Sequence, residues 1–254
     1  MLDIYYIANT GFLIQCNDKK VLIDGIHSKN VDPYQSVDID TMEKIIQGTP
    51  PFDSLDLLLF THYHWDHFDG ELAIQALKNN PHLKLFSTEQ TIDIIRSQAR
   101  YDMSIENQLI SESINLNETK DFTINNISFS AVSLLHDGDK FKDVTNYAYT
   151  VKFHDETIYH CGDAKPSEYN YEHTTLNSQN ISIALLDFPY LSLFSGRKVI
   201  NKYINPKIIC IMHLPDENKD KYNWLKTVYK SAERYKEKLP PITLCSEKNK
   251  FIEL

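Results

Sequence analysis

Short apolar or alternating runs dominate the start of the chain. Ile4–Ile7, Gly11–Cys16 and Val21–Asp24 read as strands, with Asn17-Asp18-Lys19 turning between the last two. Asp56–Thr61 is nearly continuous in apolar residues, the pattern of a strand covered on both faces. The period then changes. Gly70–Asn79 carries Leu72, Ile74, Ala76 and Leu77 at helical spacing and stops before Pro81. Leu83–Ser87 reads as a strand and Thr88–Arg96 as a helix capped by Thr88. The middle returns to strands at Phe122–Ile124, Ile127–Leu135, Thr145–Phe153 and Thr157–Cys161, with Asn125-Asn126 and His154-Asp155 at hairpin turns. The last third alternates: strand Ile181–Asp187, helix near Ser195–Ile204, strand Lys207–Met212, helix Asn223–Leu239, strand Ile242–Cys245. Both halves run strands first and mixed elements second. That order predicts an α/β fold of two similar halves, packed sheet against sheet with helices outside. Gly25–Asp53 lacks a strong period and holds Pro33, Gly48 and Pro50-Pro51, which predicts a lid or a loop with a short helix inside.

The length of 254 residues suits one large domain over 1–254, and 42% hydrophobic residues suffice for a full core. No apolar stretch is long enough to span a bilayer. Met1-Leu2-Asp3 opens no basic and apolar leader, and four scattered cysteines (Cys16, Cys161, Cys210, Cys245) read as buried thiols, so the expected compartment is the cytoplasm. A net charge of −9 weighs against nucleic acid as a partner. The helix near 223–239 sets Leu225, Val228, Tyr229, Ala232 and Tyr235 against Lys226, Lys230, Arg234 and Lys238. Its basic side reads as a solvated face before it reads as a docking patch.

Three of the ten histidines fall in Thr61-His62-Tyr63-His64-Trp65-Asp66-His67, directly after the apolar run. Residues two apart in extended chain point the same way, so His62 and His64 can converge on one ion. Asp66 and His67 lie where the chain turns towards the next helix and can face a second point. Asp69 is placed to cap that helix instead. Three further positions end predicted strands: His136 after Val132–Leu135, Asp163 after Gly162, and His213 after Ile208–Met212. Imidazole and carboxylate suit zinc, manganese or iron.

The order strand, HxHxDH (His62-Tyr63-His64-Trp65-Asp66-His67), helix, His136, Gly162-Asp163, His213 resembles the metallo-β-lactamase superfamily along the whole chain. The opening Gly11-Phe12-Leu13-Ile14 and Val21-Leu22-Ile23-Asp24 is similar as well. The resemblance implies a four-layer αββα sandwich and two divalent ions, zinc by default. His62, His64 and His136 would hold the first, Asp66, His67 and His213 the second, and Asp163 would bridge them. Asp163 and the absence of a zinc-binding cysteine set the chain apart from antibiotic-hydrolysing members. The contexts Gly162-Asp163-Ala164 and Ile211-Met212-His213 look most like the branch that includes L-ascorbate-6-phosphate lactonase.

Two ions sharing a bridging water lower its pKa, and the resulting hydroxide is a nucleophile at neutral pH. By resemblance Asp66 is also catalytic, accepting a hydrogen bond from that nucleophile. The expected function is a hydrolase of a small ester, lactone, amide or phosphodiester, with a small, anionic substrate admitted by the positive site. The competing readings are a phosphodiesterase or nuclease on RNA or cyclic nucleotides, and a metal-binding sensor or structural member without turnover. Asp24 is expected to orient a ligand loop, and His27 to stand behind the site or touch substrate. His160 reads as core, and His82, His154 and His173 as surface. Tyr63, Trp65, Phe68 and Phe188-Pro189-Tyr190-Leu191 are candidate walls, and Tyr190, Arg197 and Lys198 candidate anion contacts.

Overall fold

The computed structural model describes residues 2–253. Met1 and Leu254 lie outside them, and with them the first position of the Met1-Leu2-Asp3 reading and both end positions of the 1–254 domain expectation. The first half of the chain supplies β1 (Leu2–Ala8), β2 (Gly11–Cys16), β3 (Lys19–Ile23), α1 (Ile39–Gln47), β4 (Leu57–Leu59), α2 (Gly70–Asn79), β5 (Lys84–Ser87), α3 (Glu89–Ser97) and β6 (Leu109–Ser111). The second half supplies β7 (Thr119–Ile124), β8 (Ile127–Leu135), β9 (Thr145–Phe153), β10 (Glu156–His160), α4 (Glu168–Tyr171), β11 (Ile183–Asp187), α5 (Phe188–Ser192), α6 (Phe194–Val199), β12 (Ile208–Met212), α7 (Trp224–Tyr235), β13 (Ile242–Leu244) and β14 (Lys250–Phe251).

Two seven-stranded sheets result. One runs β14-β1-β2-β3-β4-β5-β6 and the other β13-β12-β11-β10-β9-β8-β7. Each joins an antiparallel part (β1-β2-β3, β7-β8-β9-β10) to a parallel part (β3 to β6, β10 to β13). This is the expected α/β sandwich of two similar halves.

The period of two explains the layering. In the first sheet Ile4, Phe12, Ile14, Val21, Ile23, Leu57, Leu59 and Phe86 face inward, and join Phe129, Tyr149 and Val151 of the second sheet in one buried core. Phe86 meets Phe129 and Tyr149 with ring centroids 5.2 and 6.2 Å apart. The alternate positions Ile7, Leu13, Leu22, Leu58 and Leu85 face outward onto Ile45 of α1, Ile74 of α2 and Ile92 of α3. Both faces are therefore buried, and that is why β4 reads as an unbroken Leu57-Leu58-Leu59.

Several elements differ from the sequence expectation. The helix expected near Ser195–Ile204 is α6 continued by a π-turn at 200–204, and a short helix with no counterpart in the expectation, α5, precedes it. The helix expected over Asn223–Leu239 spans Trp224–Tyr235. β6 and β14 carry no pattern of their own and form by pairing with β5 and β1. The segment Gly25–Asp53 does hold a helix, α1, whose N-cap Asp38 accepts from the Thr41 backbone and whose C-cap Gly48 takes φ 62°. Among the described residues no helix is long and apolar enough to cross a membrane, and all four cysteines are buried and unbonded.

Candidate metal centre

The floor of the site is built from strand ends. His62 and His64 follow β4, Asp66 and His67 lead towards α2, and His136, Asp163 and His213 follow β8, β10 and β12. Asp69 caps α2 by accepting from the Leu72 backbone N–H at 3.2 Å and stays out of the cluster. The seven candidate residues come together in two sets that meet at Asp163. In the first set, His62 Nε2 lies 3.0 Å from His64 Nδ1 and 3.3 Å from His136 Nε2, and His136 Nε2 lies 3.4 Å from Asp163 Oδ2. In the second, His213 Nε2 lies 3.2 Å from Asp66 Oδ2, and His67 Nε2 lies 3.1 Å from Asp163 Oδ1. The two carboxylate oxygens of Asp163 thus face different sets.

These spacings suit metal ions. Ligands on tetrahedral arms of the usual zinc–nitrogen length stand about 3.3 Å apart. Imidazole lone pairs gathered that closely repel unless something positive lies between them. His67 Nε2 and Asp163 Oδ1 are buried and, among the described residues, make no hydrogen bond with aligned geometry. A buried polar atom without a partner is costly, and a cation removes the cost.

Hydrogen bonds from behind fix which nitrogen each ring presents. Both Asp24 carboxylate oxygens accept from Thr61, Oδ1 from the backbone N–H at 2.8 Å and Oδ2 from the hydroxyl at 2.7 Å. His67 Nδ1 donates to Asp24 Oδ2 at 2.8 Å, which leaves Nε2 free for the site. The Thr61 hydroxyl has given its only proton to Asp24, so it accepts from His62 Nδ1 at 3.0 Å. His136 Nδ1 donates to the Asp137 carbonyl at 2.6 Å. Burial, helped by His67, pushes the His62 imidazole well below its usual pKa, and burial with His136 brings His64 down to about 4. Neutral imidazole is the form that binds metal. Burial alone would raise Asp163, but the neighbouring His67 and His213 outweigh it and keep the carboxylate charged.

The close approach of strands needs Gly162. It takes φ 56°, and a Cβ there would meet Asn146 Oδ1 at 2.4 Å and Thr61 Cβ at 2.8 Å. Asn146 in turn accepts from the Asp163 backbone N–H at 2.9 Å.

Other sequence candidates divide. Tyr63, Trp65, Phe188 and Pro189 line a cavity of about 800 Å³ above the cluster. Phe68, Tyr190 and Leu191 are buried in the core. The Tyr190 hydroxyl donates to the Ala164 carbonyl, Arg197 Nη1 donates to the Leu191 and Ser192 carbonyls, and Lys198 pairs with Glu168, so the structure turns all three candidate anion contacts to other tasks. His160 is core: its Nδ1 accepts from the Gly162 N–H and its Nε2 donates to the Thr10 carbonyl. His27 is fully buried behind the site, does not line the cavity, and is pushed down to about 4 by burial and His67. His82, His154 and His173 are exposed.

Two contributors escaped the sequence reading. Asp187, the last residue of β11, lines the cavity floor beside Asp163 and His213, where burial and the Asp163 charge raise its carboxyl well above the usual range. Its place at a strand's C-terminal end was the available signal. Asn9, at φ 54° in the β1–β2 turn, donates to the Asp66 carbonyl at 2.9 Å and accepts from the His213 N–H at 3.0 Å. Asn before Thr10-Gly11 looks like ordinary turn chemistry, so nothing in the sequence pointed to the site.

A search of curated proteins finds no match. Among solved structures, a possible metal-dependent hydrolase from Veillonella parvula superposes over 100% of both chains with TM-score 0.68 at 18% identity. The metallo-β-lactamase fold protein YhfI from Bacillus subtilis covers 100% of both with TM-score 0.66 at 14% identity. CmlA, a diiron β-hydroxylase from Streptomyces venezuelae, matches 100% of this chain and 54% of its own, with TM-score 0.67 at 11% identity. These likenesses carry the fold. A family model described as the beta-lactamase superfamily domain matches residues 31–193, more than half of the chain, so the chain belongs to that superfamily.

Proposed function

We propose that this member of the superfamily is a metal-dependent hydrolase that opens a small ester, lactone or amide. The observation that carries the reading is the pair of donor sets meeting at Asp163 on the floor of a cavity of about 800 Å³. His62, His64 and His136 would hold one ion, Asp66, His67 and His213 the other, and Asp163 would touch both. Zinc is the default for His/Asp donors, with manganese and iron as alternatives. Two divalent ions, when bound, supply a water of lowered pKa and Lewis acidity towards a carbonyl oxygen.

The chain's own residues do the rest. Asp66 lines the cavity, and its carboxylate can accept a hydrogen bond from a water on the floor and so aim a lone pair at substrate. The Asn9 bond to the Asp66 backbone and the Asp24 bond to His67 keep these groups from turning. Asp187 beside them, its carboxyl pushed up by burial and the Asp163 charge, lines the floor where it can hydrogen-bond a polar group of substrate. The net charge of −9 disfavours the nuclease reading.

The test measures metal by elemental analysis and hydrolysis of p-nitrophenyl acetate, a γ-lactone, an anilide and bis-p-nitrophenyl phosphate. About two equivalents of metal, with ester, lactone or amide turnover lost on chelation and restored on reloading, support the reading. Less than about one equivalent sinks it. Metal without turnover of anything in the panel favours a sensor or structural member, and turnover of the phosphodiester alone favours the alternative enzyme class.

A further inference from the structure

The cavity floor is polar, but one side of its mouth is aromatic. Phe188 and Pro189 from the start of α5, and Tyr222 and Trp224 at the start of α7, line one side. The Tyr222 and Trp224 rings stack, 24° apart in plane with centroids 4.9 Å apart, and Phe188 lies 5.4 Å from Trp224. Tyr222 keeps 68% of its surface exposed. Large aromatic surface left open around a cavity marks a binding surface.

Phe188 packs against the core, whereas backbone chemistry holds the Tyr222 and Trp224 rings outside it. Asn223, between them, takes φ 57°, a left-handed conformation that asparagine tolerates and bulky residues avoid. Asp220 accepts from the Trp224 and Leu225 backbone N–H groups at 3.0 and 2.9 Å, pinning the turn into α7. On the rest of the rim, Tyr34 lies over His213 and Phe141 over His64, with centroids 3.9 and 4.7 Å apart.

Charge narrows the occupant further. Among the described residues, Lys140 is the one lysine or arginine that lines the cavity, and its Nζ rests 4.6 Å from the Phe141 ring centroid. A phosphate seated away from the floor is normally met by arginine, several cations or a helix N-terminus; here the rim offers aspartates at 32 and 137, and Asp220 already takes the first N–H groups of α7.

We infer that the substrate carries an uncharged apolar group, an aromatic ring or alkyl chain, that seats on Phe188, Tyr222 and Trp224 while the scissile bond lies on the floor. This rests on the hydrolase reading and names its substrate class. It disfavours sugar phosphates and phosphodiesters.

The two tryptophans, Trp65 and Trp224, both line the cavity, so intrinsic fluorescence reports on it. In metal-loaded Trp65→Phe protein, excited beyond the tyrosine absorption band, Trp224 is the sole emitter. Titration with 4-phenylbutyrate, acetate and glucose 6-phosphate should show phenylbutyrate binding at least about tenfold tighter than acetate. Adding Tyr222→Ala, with folding checked by circular dichroism, should shrink that preference to about threefold or less. Equal affinities for phenylbutyrate and acetate, tighter binding of glucose 6-phosphate, or a preference untouched by Tyr222→Ala would overturn the inference. Parallel kinetics on the p-nitrophenyl esters of acetate and 4-phenylbutyrate separate the two claims. Selective binding with neither ester, nor the lactone or anilide of the panel, cleaved ends the hydrolase reading and leaves the aromatic subsite. Cleavage of both esters at equal kcat/KM leaves the hydrolase and ends the subsite.

Discussion

One fully buried carboxylate, Asp24, accepts from Thr61 and His67 and so ties the end of β4 to a ring of the floor. Asp24→Asn keeps the shape but replaces one acceptor with a donor. Loss of such a supporting bond typically weakens metal binding by about 10–100-fold. Competition with a zinc indicator measures it, and an unchanged affinity would show that Asp24 serves folding alone. Buried tyrosines offer a second test. The Tyr190 hydroxyl donates to the Ala164 carbonyl at 2.8 Å, so its one proton is spent and Tyr171 must donate to it. Tyr159 then donates to Tyr171 at 2.8 Å. Tyr190→Phe leaves both the Ala164 carbonyl and the Tyr171 proton unmatched, at roughly 1–3 kcal/mol each. Tyr159→Phe removes only the first donor, so urea unfolding should rank Tyr190→Phe as the more damaging of the two. At this scale the spacing His62-Tyr63-His64-Trp65-Asp66-His67 already placed four groups near one another, because chain connectivity alone brings them close. The use of Nδ1 by His64, the part played by Asn9 and the position of Asp187 depend on packing between distant strands, which a linear pattern does not encode.

Helix α1 shows how an element draws its stability from both ends of the chain. Its N-cap Asp38 accepts from the Thr41 N–H at 2.9 Å, the Thr41 hydroxyl at 3.1 Å and Asn249 Nδ2 at 2.7 Å. Burial tends to raise the Asp38 carboxyl, but these hydrogen bonds outweigh it and hold it below its usual value. The sign follows: the bonds to the carboxylate contribute above the unfolded pKa near 3.9 and are lost as pH falls through the lower folded value. Asp38→Ala should cost about 1 kcal/mol at pH 7, as cap losses usually do. The difference between variant and parent should close as urea melts move from pH 5 to below pH 3; a gap that stays constant would mean the charge is irrelevant. The segment Gly25–Asp53 was legible as a loop with a helix, yet its parts do different things. Val31–Tyr34 lines the cavity and is fastened by the Asp32–Lys219 ion pair at 2.9 Å and the Asp216 N–H to Pro33 carbonyl bond at 2.8 Å, whereas α1 packs on the outer face of the first sheet. Both fastenings reach residues nearly two hundred positions away, beyond any local period.

At the scale of the molecule, the strand–helix order was enough to read two facing sheets, because a strand buried on both faces and a strand with one wet face differ in composition. The pairing of β14 with β1 and of β6 with β5 was not readable, since two- and three-residue strands are selected by an open edge and not by their own sequence. The same architecture dictates where metal acts mechanically. His62, His64, Asp66 and His67 hang from the first sheet, whereas His136, Asp163 and His213 hang from the second. Each donor set therefore takes groups from both sheets, and an ion held by either set cross-links them at one end of the sandwich. Ions bound by the folded chain and not by the unfolded one stabilise it by mass action, by about 2.7 kcal/mol at a hundredfold excess over Kd. Removing them also leaves the buried Asp66 and Asp163 carboxylates close together, offset by His67, whose imidazole they push well above its usual pKa against the effect of burial. Calorimetry of chelated protein should give a Tm several degrees below that of protein with two equivalents of zinc, roughly 2–4 °C for each kcal/mol in a chain of this size. Restoring zinc to His67→Ala should recover only part of the difference, since the second set then lacks its link between Asp24 and Asp163. Identical melting with and without metal would show that the two sheets hold that end together unaided.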